Sequence, residues 1–150
     1  MRLADILSAD RVTTSMEARD KEAALQVVAG LFPGQEPEEI YRVLREREAL
    51  ASTGIGSGVA IPHGRVRGLE SLVAALAICR PGVDFESVDG LPVHIVVAIL
   101  APERSTGDHL KALARVSRVL RSEEVRHALV GAGSPEAALQ VALEQDERTG

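Results

Sequence analysis

The chain has 150 residues, 45% of them hydrophobic and 26% charged, with seventeen basic residues against twenty-two acidic ones and a formal net charge of −5. That length supports one ordinary core, no low-complexity stretch or charge run divides it, and the acidic balance argues against a nucleic-acid surface. A single cysteine, Cys79, excludes an internal disulfide and a thiolate metal cluster, and three aromatics, Phe32, Tyr41 and Phe85, offer little for base stacking.

Taken in chain order, Met1 to Asp5 leads into no apolar signal core. Lys21 to Leu31 sets Ala24, Leu25, Val28 and Leu31 at helical spacing, and Pro33-Gly34 stops it. Glu38 to Leu50 repeats the pattern through Ile40, Val43 and Leu44. The period then changes. Leu72 to Ile78 and Val93 to Leu100 are short apolar runs bounded by Pro, Gly and Asp, as buried strands are, and Val59 to Ile61 and Val83 to Phe85 are predicted as shorter strands. The longest apolar run, Val93 to Ala101, contains His94 and falls far short of the roughly 20 residues that span a bilayer, so a soluble cytoplasmic protein is expected.

After Ala101-Pro102, Asp108 is predicted to cap a helix running to Leu120, with Leu110, Leu113, Ala114 and Leu120 on its inner face. Ser122 and Ser134-Pro135 open two further helices, and from Gln145 onward the polar tail, 145–150, is expected to fray. Strands in the middle with helices before and after predict an α/β fold: a single domain over residues 1–150 in which a mixed β-sheet is sandwiched between α-helices.

One segment carries chemistry. Ser52-Thr53-Gly54-Ile55-Gly56-Ser57-Gly58-Val59-Ala60-Ile61-Pro62-His63-Gly64-Arg65 delivers a histidine between two residues that restrict or free the backbone. With an ordinary pKa of about 6.5, roughly nine-tenths of His63 is neutral near pH 7.5, as a nucleophilic imidazole must be. Attack on phosphorus also needs donors for the equatorial oxygens. His109 lies at a predicted helix start, where free amides favour an anion, and Arg47 offers a planar cationic fork just before the glycine-rich segment. Ser52 and Thr53 are candidate hydroxyl donors to a phosphoryl group, or caps of the turn before Gly54. Gly54, Gly56 and Gly58 read as turn glycines.

Other residues take plainer readings. His94 is expected in a strand edge or core, His127 in solvent, and Cys79 as a small core residue. Lys111, Arg115 and Arg118 share one helical stripe and read as a solvated face. No Gly-x-x-x-x-Gly-Lys-Ser/Thr segment exists, and the Gly54-x-Gly56-x-Gly58 spacing is not a dinucleotide fingerprint, which argues against direct use of ATP.

Three stretches in order resemble one family: Leu44-Arg45-Glu46-Arg47-Glu48-Ala49-Leu50-Ala51-Ser52-Thr53-Gly54-Ile55-Gly56 through Ala60-Ile61-Pro62-His63-Gly64; Asp89-Gly90-Leu91-Pro92-Val93-His94-Ile95-Val96-Val97; and Leu100-Ala101-Pro102 with His109-Leu110-Lys111-Ala112-Leu113-Ala114. The family is the enzyme IIA domain of the phosphoenolpyruvate-dependent sugar phosphotransferase system, of the fructose, mannitol and nitrogen-regulatory branch. The resemblance implies that His63 takes a phosphoryl group from a histidine of the carrier HPr and passes it to a cysteine of an enzyme IIB, over one docking patch used in turn. It likewise implies that His109 hydrogen-bonds that group, that Arg47 helps hold it, and that no nucleotide, metal or other cofactor is needed. Such a protein is at most peripheral to a membrane transporter. Arg65, Arg67 and the loop Glu103-Arg104-Ser105-Thr106-Gly107 fall in a variable stretch. Two other versions stay open: a regulatory module whose phosphorylation sets its affinity for a transporter, kinase or transcription factor, and a metal-dependent hydrolase built on His63, His94 and His109, which lacks ligand spacing.

Overall fold

The computed structural model describes residues 1–105 and 107–149; Thr106, inside the variable loop, and Gly150, the end of the expected tail, lie outside the described residues. Two single-turn segments, Leu3–Asp5 and Ala9–Arg11, lead to the two-residue strand β1, Val12–Thr13. Asp20 accepts a hydrogen bond from the Ala23 amide and so caps α1, Lys21–Ala29, which buries Ala24, Leu25 and Val28. Proline opens α2, Pro37–Glu48, at a position where its missing N–H has no helical partner to lose, and α2 turns Ile40 and Leu44 inward.

Five further strands follow: β2, Gly54–Gly56; β3, Val59–Ala60; β4, His63–Val66; β5, Val73–Val83; and β6, Val93–Pro102. They form one six-stranded sheet in the order β1-β5-β6-β3-β2, with β4 also against β6. β5 and β6 are antiparallel and fully apolar at the centre, while β1 runs parallel to β5, β3 and β4 run parallel to β6, and β2 is antiparallel to β3. β3 and β4 are one line of chain in a single register along β6: Val59 lies beside Ile95, Ala60 beside Val96, His63 beside Ile99 and Gly64 beside Leu100. Pro62 interrupts this line because it has no N–H, yet its carbonyl still accepts from the Ile99 amide at 2.9 Å. The register therefore survives the break. Between β2 and β3 the chain reverses through Gly56, Ser57 and Gly58, all at positive φ (97°, 58° and 81°), a run that glycine makes affordable on both sides of the serine.

Alternation along β5 and β6 divides the core. Leu76, Ile78, Ile95, Val97 and Ile99 face α3, Asp108–Val119, α4, Glu123–Val130, and α5, Pro135–Thr149. Ala75, Ala77, Cys79, Val96, Ala98 and Leu100 face α1 and α2. The mixed sheet sandwiched between helices is the predicted one, and Cys79 is buried as expected.

Several boundaries differ from the sequence expectation. β5 continues through Pro81-Gly82 to Val83, which pairs with Val93, and Phe85 lies beyond it as a fully buried loop residue. Asp108 is the first residue of α3 and not its cap; Gly107, at φ 119°, holds the cap position. The inner stripe of α3 is Ala112, Val116 and Val119, whereas Leu110 is 60% exposed and Ala114 is also outside. The tail does not fray at Gln145. α5 runs to Thr149 because Asp146, 2% exposed, accepts the Leu3 amide at 2.7 Å and pairs with Arg115 at 2.7 Å. Arg115 therefore leaves the solvated stripe, on which Lys111 and Arg118 remain exposed. Among the described residues no helix is long and apolar enough to cross a membrane.

Candidate functional site

His63 opens β4, and the residue after it decides what can stand over it. A Cβ at Gly64 would lie far closer to Val43 Cγ1 than two non-bonded carbons can approach, so glycine is what lets α2 rest directly on β4. Its backbone is not in the left-handed region, so close approach and not conformational freedom explains Gly64. One turn after Val43 on the same helix comes Arg47, which thereby reaches the space around His63.

That space is an open cleft of about 750 Å³ whose walls include Arg47, Leu50, His63, Ile99, Glu103 and His109. The structure thus brings together the three residues that the sequence singled out from separate stretches. Ile99, the register partner of His63 on β6, supplies apolar backing to the ring. Leu50 is 81% exposed on the rim and Leu110, next to His109, 60% exposed.

His63 is half-buried, and its Nδ1 lies 2.9 Å from the Ile61 carbonyl oxygen. A carbonyl can only accept, so this contact assigns the proton to Nδ1 and leaves Nε2 with the free lone pair. Burial pushes the imidazole pKa below its ordinary value; the Ile61 hydrogen bond opposes that, the charges of Arg47 and His109 add to it, and the Glu48 carboxylate pulls the other way. The net direction is downward, which keeps the ring neutral at physiological pH.

Arg47 donates one N–H to the Ala51 carbonyl at 3.0 Å, which anchors the guanidinium and leaves the rest of its fork available. His109 is the second residue of α3, and its Nδ1 is buried with no hydrogen-bond partner among the described residues. Among the described residues no side chain caps this helix, which leaves the Asp108 and His109 amides and the positive end of the helix dipole to an anion. A neutral nucleophile, a cationic fork and an uncapped helix start on one cleft can bind and stabilise a tetrahedral or trigonal phosphoryl group.

Ser52 and Thr53 are placed differently. The Ser52 hydroxyl donates to the Phe85 carbonyl at 2.9 Å and accepts from the Gly54 amide at 3.0 Å. Thr53 is buried, and both its amide and its hydroxyl turn to the carboxylate of Glu48. Neither residue lines the cleft, so the structure does not bring them to His63. Glu48 is the residue that the sequence reading passed over: it closes α2 at 5% exposure and also meets Lys21 Nζ at 3.5 Å. A signal was present, because Ile40, Leu44 and Glu48 follow each other at four-residue steps and put a carboxylate on the apolar stripe.

His94 points elsewhere. Its Nδ1 lies within 3.2 Å of the Cys79 carbonyl and 3.1 Å of the Arg80 carbonyl, and it lines a different hollow at the opposite end of β6. The three histidines of the hydrolase reading therefore do not converge. His127 is on the surface of α4, its side chain 80% exposed, as expected.

The profile of the family described as "Phosphoenolpyruvate-dependent sugar phosphotransferase system, EIIA 2" matches residues 5–145, so the chain belongs to that family. Among its relatives, a nitrogen regulatory protein of Bradyrhizobium diazoefficiens is 37% identical over 144 residues, 94% of each chain. The fructose-specific EIIABC component of Bacillus subtilis is 30% identical across 98% of this chain but only 24% of its own length. In structure, nitrogen regulatory protein IIA-Ntr of Neisseria meningitidis is similar with a TM-score of 0.87 and 30% identity, covering 93% of this chain and 98% of the other.

Proposed function

We propose that the protein is a phosphocarrier that accepts a phosphoryl group from phospho-HPr, or from a nitrogen-type homologue of HPr, on Nε2 of His63 and passes it to an enzyme IIB. The observation that carries this reading is the His63–Ile61 hydrogen bond, which presents a neutral ring with its Nε2 lone pair free in a cleft shared with Arg47 and His109. The P–N bond of the donor phosphohistidine breaks, its electron pair stays on the donor nitrogen, and the Nε2 lone pair forms the new P–N bond. The Nδ1 proton need not move. In the phosphorylated state that proton makes His63 an imidazolium, a good leaving group for the second transfer. Arg47, His109 and the α3 amides stabilise the charge spread over the three phosphoryl oxygens.

A second reading, a regulatory nitrogen-type IIA whose phosphorylation state controls binding to a transporter, kinase or regulator, is favoured by one observation. The relative named as a nitrogen regulatory protein is 37% identical to this chain and the fructose-specific relative 30%. Both readings use His63 alike. Incubation with phosphoenolpyruvate, enzyme I and HPr is expected to add one acid-labile phosphate that His63→Ala does not take up, and label retained in that variant refutes the assignment. Offering the labelled protein to IIB domains, against a pull-down with and without phosphate, separates the two.

A further inference from the structure

A continuous hydrogen-bonded path connects a buried carboxylate to the imidazole of His63. Glu48 Oε2 accepts the Thr53 amide at 2.9 Å; the Thr53 carbonyl accepts the Ile61 amide at 2.9 Å; and the Ile61 carbonyl accepts the His63 Nδ1–H at 2.9 Å. Each link is near the ideal N–H···O distance, and Glu48, Thr53 and Ile61 are all buried, at 5%, 5% and 3% exposure. Glu48 comes from the last turn of α2, Thr53 from the segment before β2, and Ile61 from the break between β3 and β4.

We propose that Glu48 is a positioning residue for the phosphoryl-transfer reaction, acting on His63 through the backbone of Thr53 and Ile61; this rests on the assignment of His63 as the phosphoryl acceptor. The N–H and C=O of one residue belong to different peptide groups, so the links act by position: Glu48 holds Thr53, Thr53 holds Ile61, and the Ile61 oxygen stays aimed at Nδ1 while the buried anion acts on the ring through space. That fixes the proton on Nδ1, locks the ring plane, and supports the imidazolium formed when Nε2 carries phosphorus. A carboxylate that contacts an imidazole directly does the same work in hydrolytic triads. Here backbone links replace the direct contact, and Thr53 serves as a link in the path instead of a phosphoryl ligand.

The charged groups around the path fit this arrangement. Lys21 of α1 meets Glu48 at 3.5 Å and is shared with the exposed Glu86 at 3.4 Å, so the carboxylate is only partly neutralised. Arg47 and His109 face His63 from the cleft, where Glu103, Arg65 and Arg67 also lie. Without Glu48 the ring would be surrounded at short range mainly by positive charge.

The test reads the unphosphorylated protein first. Long-range ¹H–¹⁵N spectra of histidine-labelled wild type are expected to show a protonated Nδ1 and a bare Nε2 at His63; a protonated Nε2 in the neutral ring overturns the proposal without any variant. Glu48→Gln keeps an oxygen for the Thr53 amide and removes the charge. It is expected to lower the His63 titration further, mix the two tautomers, and slow transfer from phospho-HPr about tenfold at saturating carrier, with KM within about twofold of wild type. Glu48→Asp, which retains the charge, is expected to recover the Nδ1–H tautomer and much of the rate. A folded Glu48→Gln protein with wild-type tautomer and titration overturns the proposal, whether its rate falls or not. Because the tautomer is read before any phosphate is added, this result stands apart from whether His63 is the acceptor.

Discussion

His63 donates its Nδ1–H to the carbonyl of Ile61, two residues earlier and across Pro62, at 2.9 Å. Pro62 faces β6, where its carbonyl accepts the Ile99 amide, whereas Ile61 faces away, giving its N–H to the Thr53 carbonyl and presenting its own carbonyl on that same edge to the ring. Ring direction and tautomer therefore both follow from backbone geometry.

The lowered pKa of His63 has a consequence for stability. Below its ordinary pKa of about 6.5 the unfolded chain takes up a proton that the folded protein resists, so stability is full above that pH and falls as the pH drops towards the folded value. Urea unfolding of wild type is expected to lose stability below about pH 6.5 more steeply than His63→Gln. Identical slopes would mean that burial does not perturb the ring.

Gly64→Ala places a methyl group inside Val43. The expected loss is about 1 to 3 kcal/mol in urea unfolding, the range for overpacking, and Val43→Ala in the same chain is expected to restore part of it by making room. Additive losses in the double variant would show that α2 and β4 do not meet there.

His109→Ala is expected to fold normally and still accept phosphate slowly, but to pass it on about 10 to 100 times more slowly, because a donor to the transferring group is gone while the nucleophile remains. Arg47→Lys is expected to be impaired as well, since an ammonium does not reproduce the fork. Stopped-flow transfer between labelled carriers checks both, and wild-type rates would remove either residue from the site.

Removal of residues 146–150 is expected to destabilise the fold by about 2 to 3 kcal/mol, as is Asp146→Ala alone, because both leave the Leu3 amide and Arg115 without their buried carboxylate. Thermal unfolding of the two variants checks this, and a neutral truncation would return the tail to the frayed state that its composition suggests.

Much of this was legible in the sequence for physical reasons. Apolar runs bounded by turn residues mark β5 and β6, the second rich in β-branched residues, Pro62 and Gly64 mark His63, and helix-end positions mark Arg47 and His109. Asp146 was not legible, because its partners, Leu3 and Arg115, are remote in the chain and a buried carboxylate looks like any other in a polar tail. On α3, Leu113 and Leu120 face the core as the spacing predicts, but Leu110 and Ala114 do not, because Ala112 and Val116 take the inner positions. Of the two readings open for Ser52 and Thr53, Ser52 takes the turn cap, accepting the Gly54 amide, while the Thr53 hydroxyl follows its nearest strong acceptor, Glu48. Gly64 is legible as a place without a side chain, but nothing local reveals that Val43 packs on it.

The most direct measurement is the location of the phosphoryl group after reconstitution with phosphoenolpyruvate, enzyme I and HPr, by ³¹P and ¹⁵N NMR under basic conditions with mass spectrometry of the peptides. A single P–N bond to Nε2 of His63 is the predicted result. A bond to Nδ1 of His63, to another side chain, or no bond at all contradicts the account.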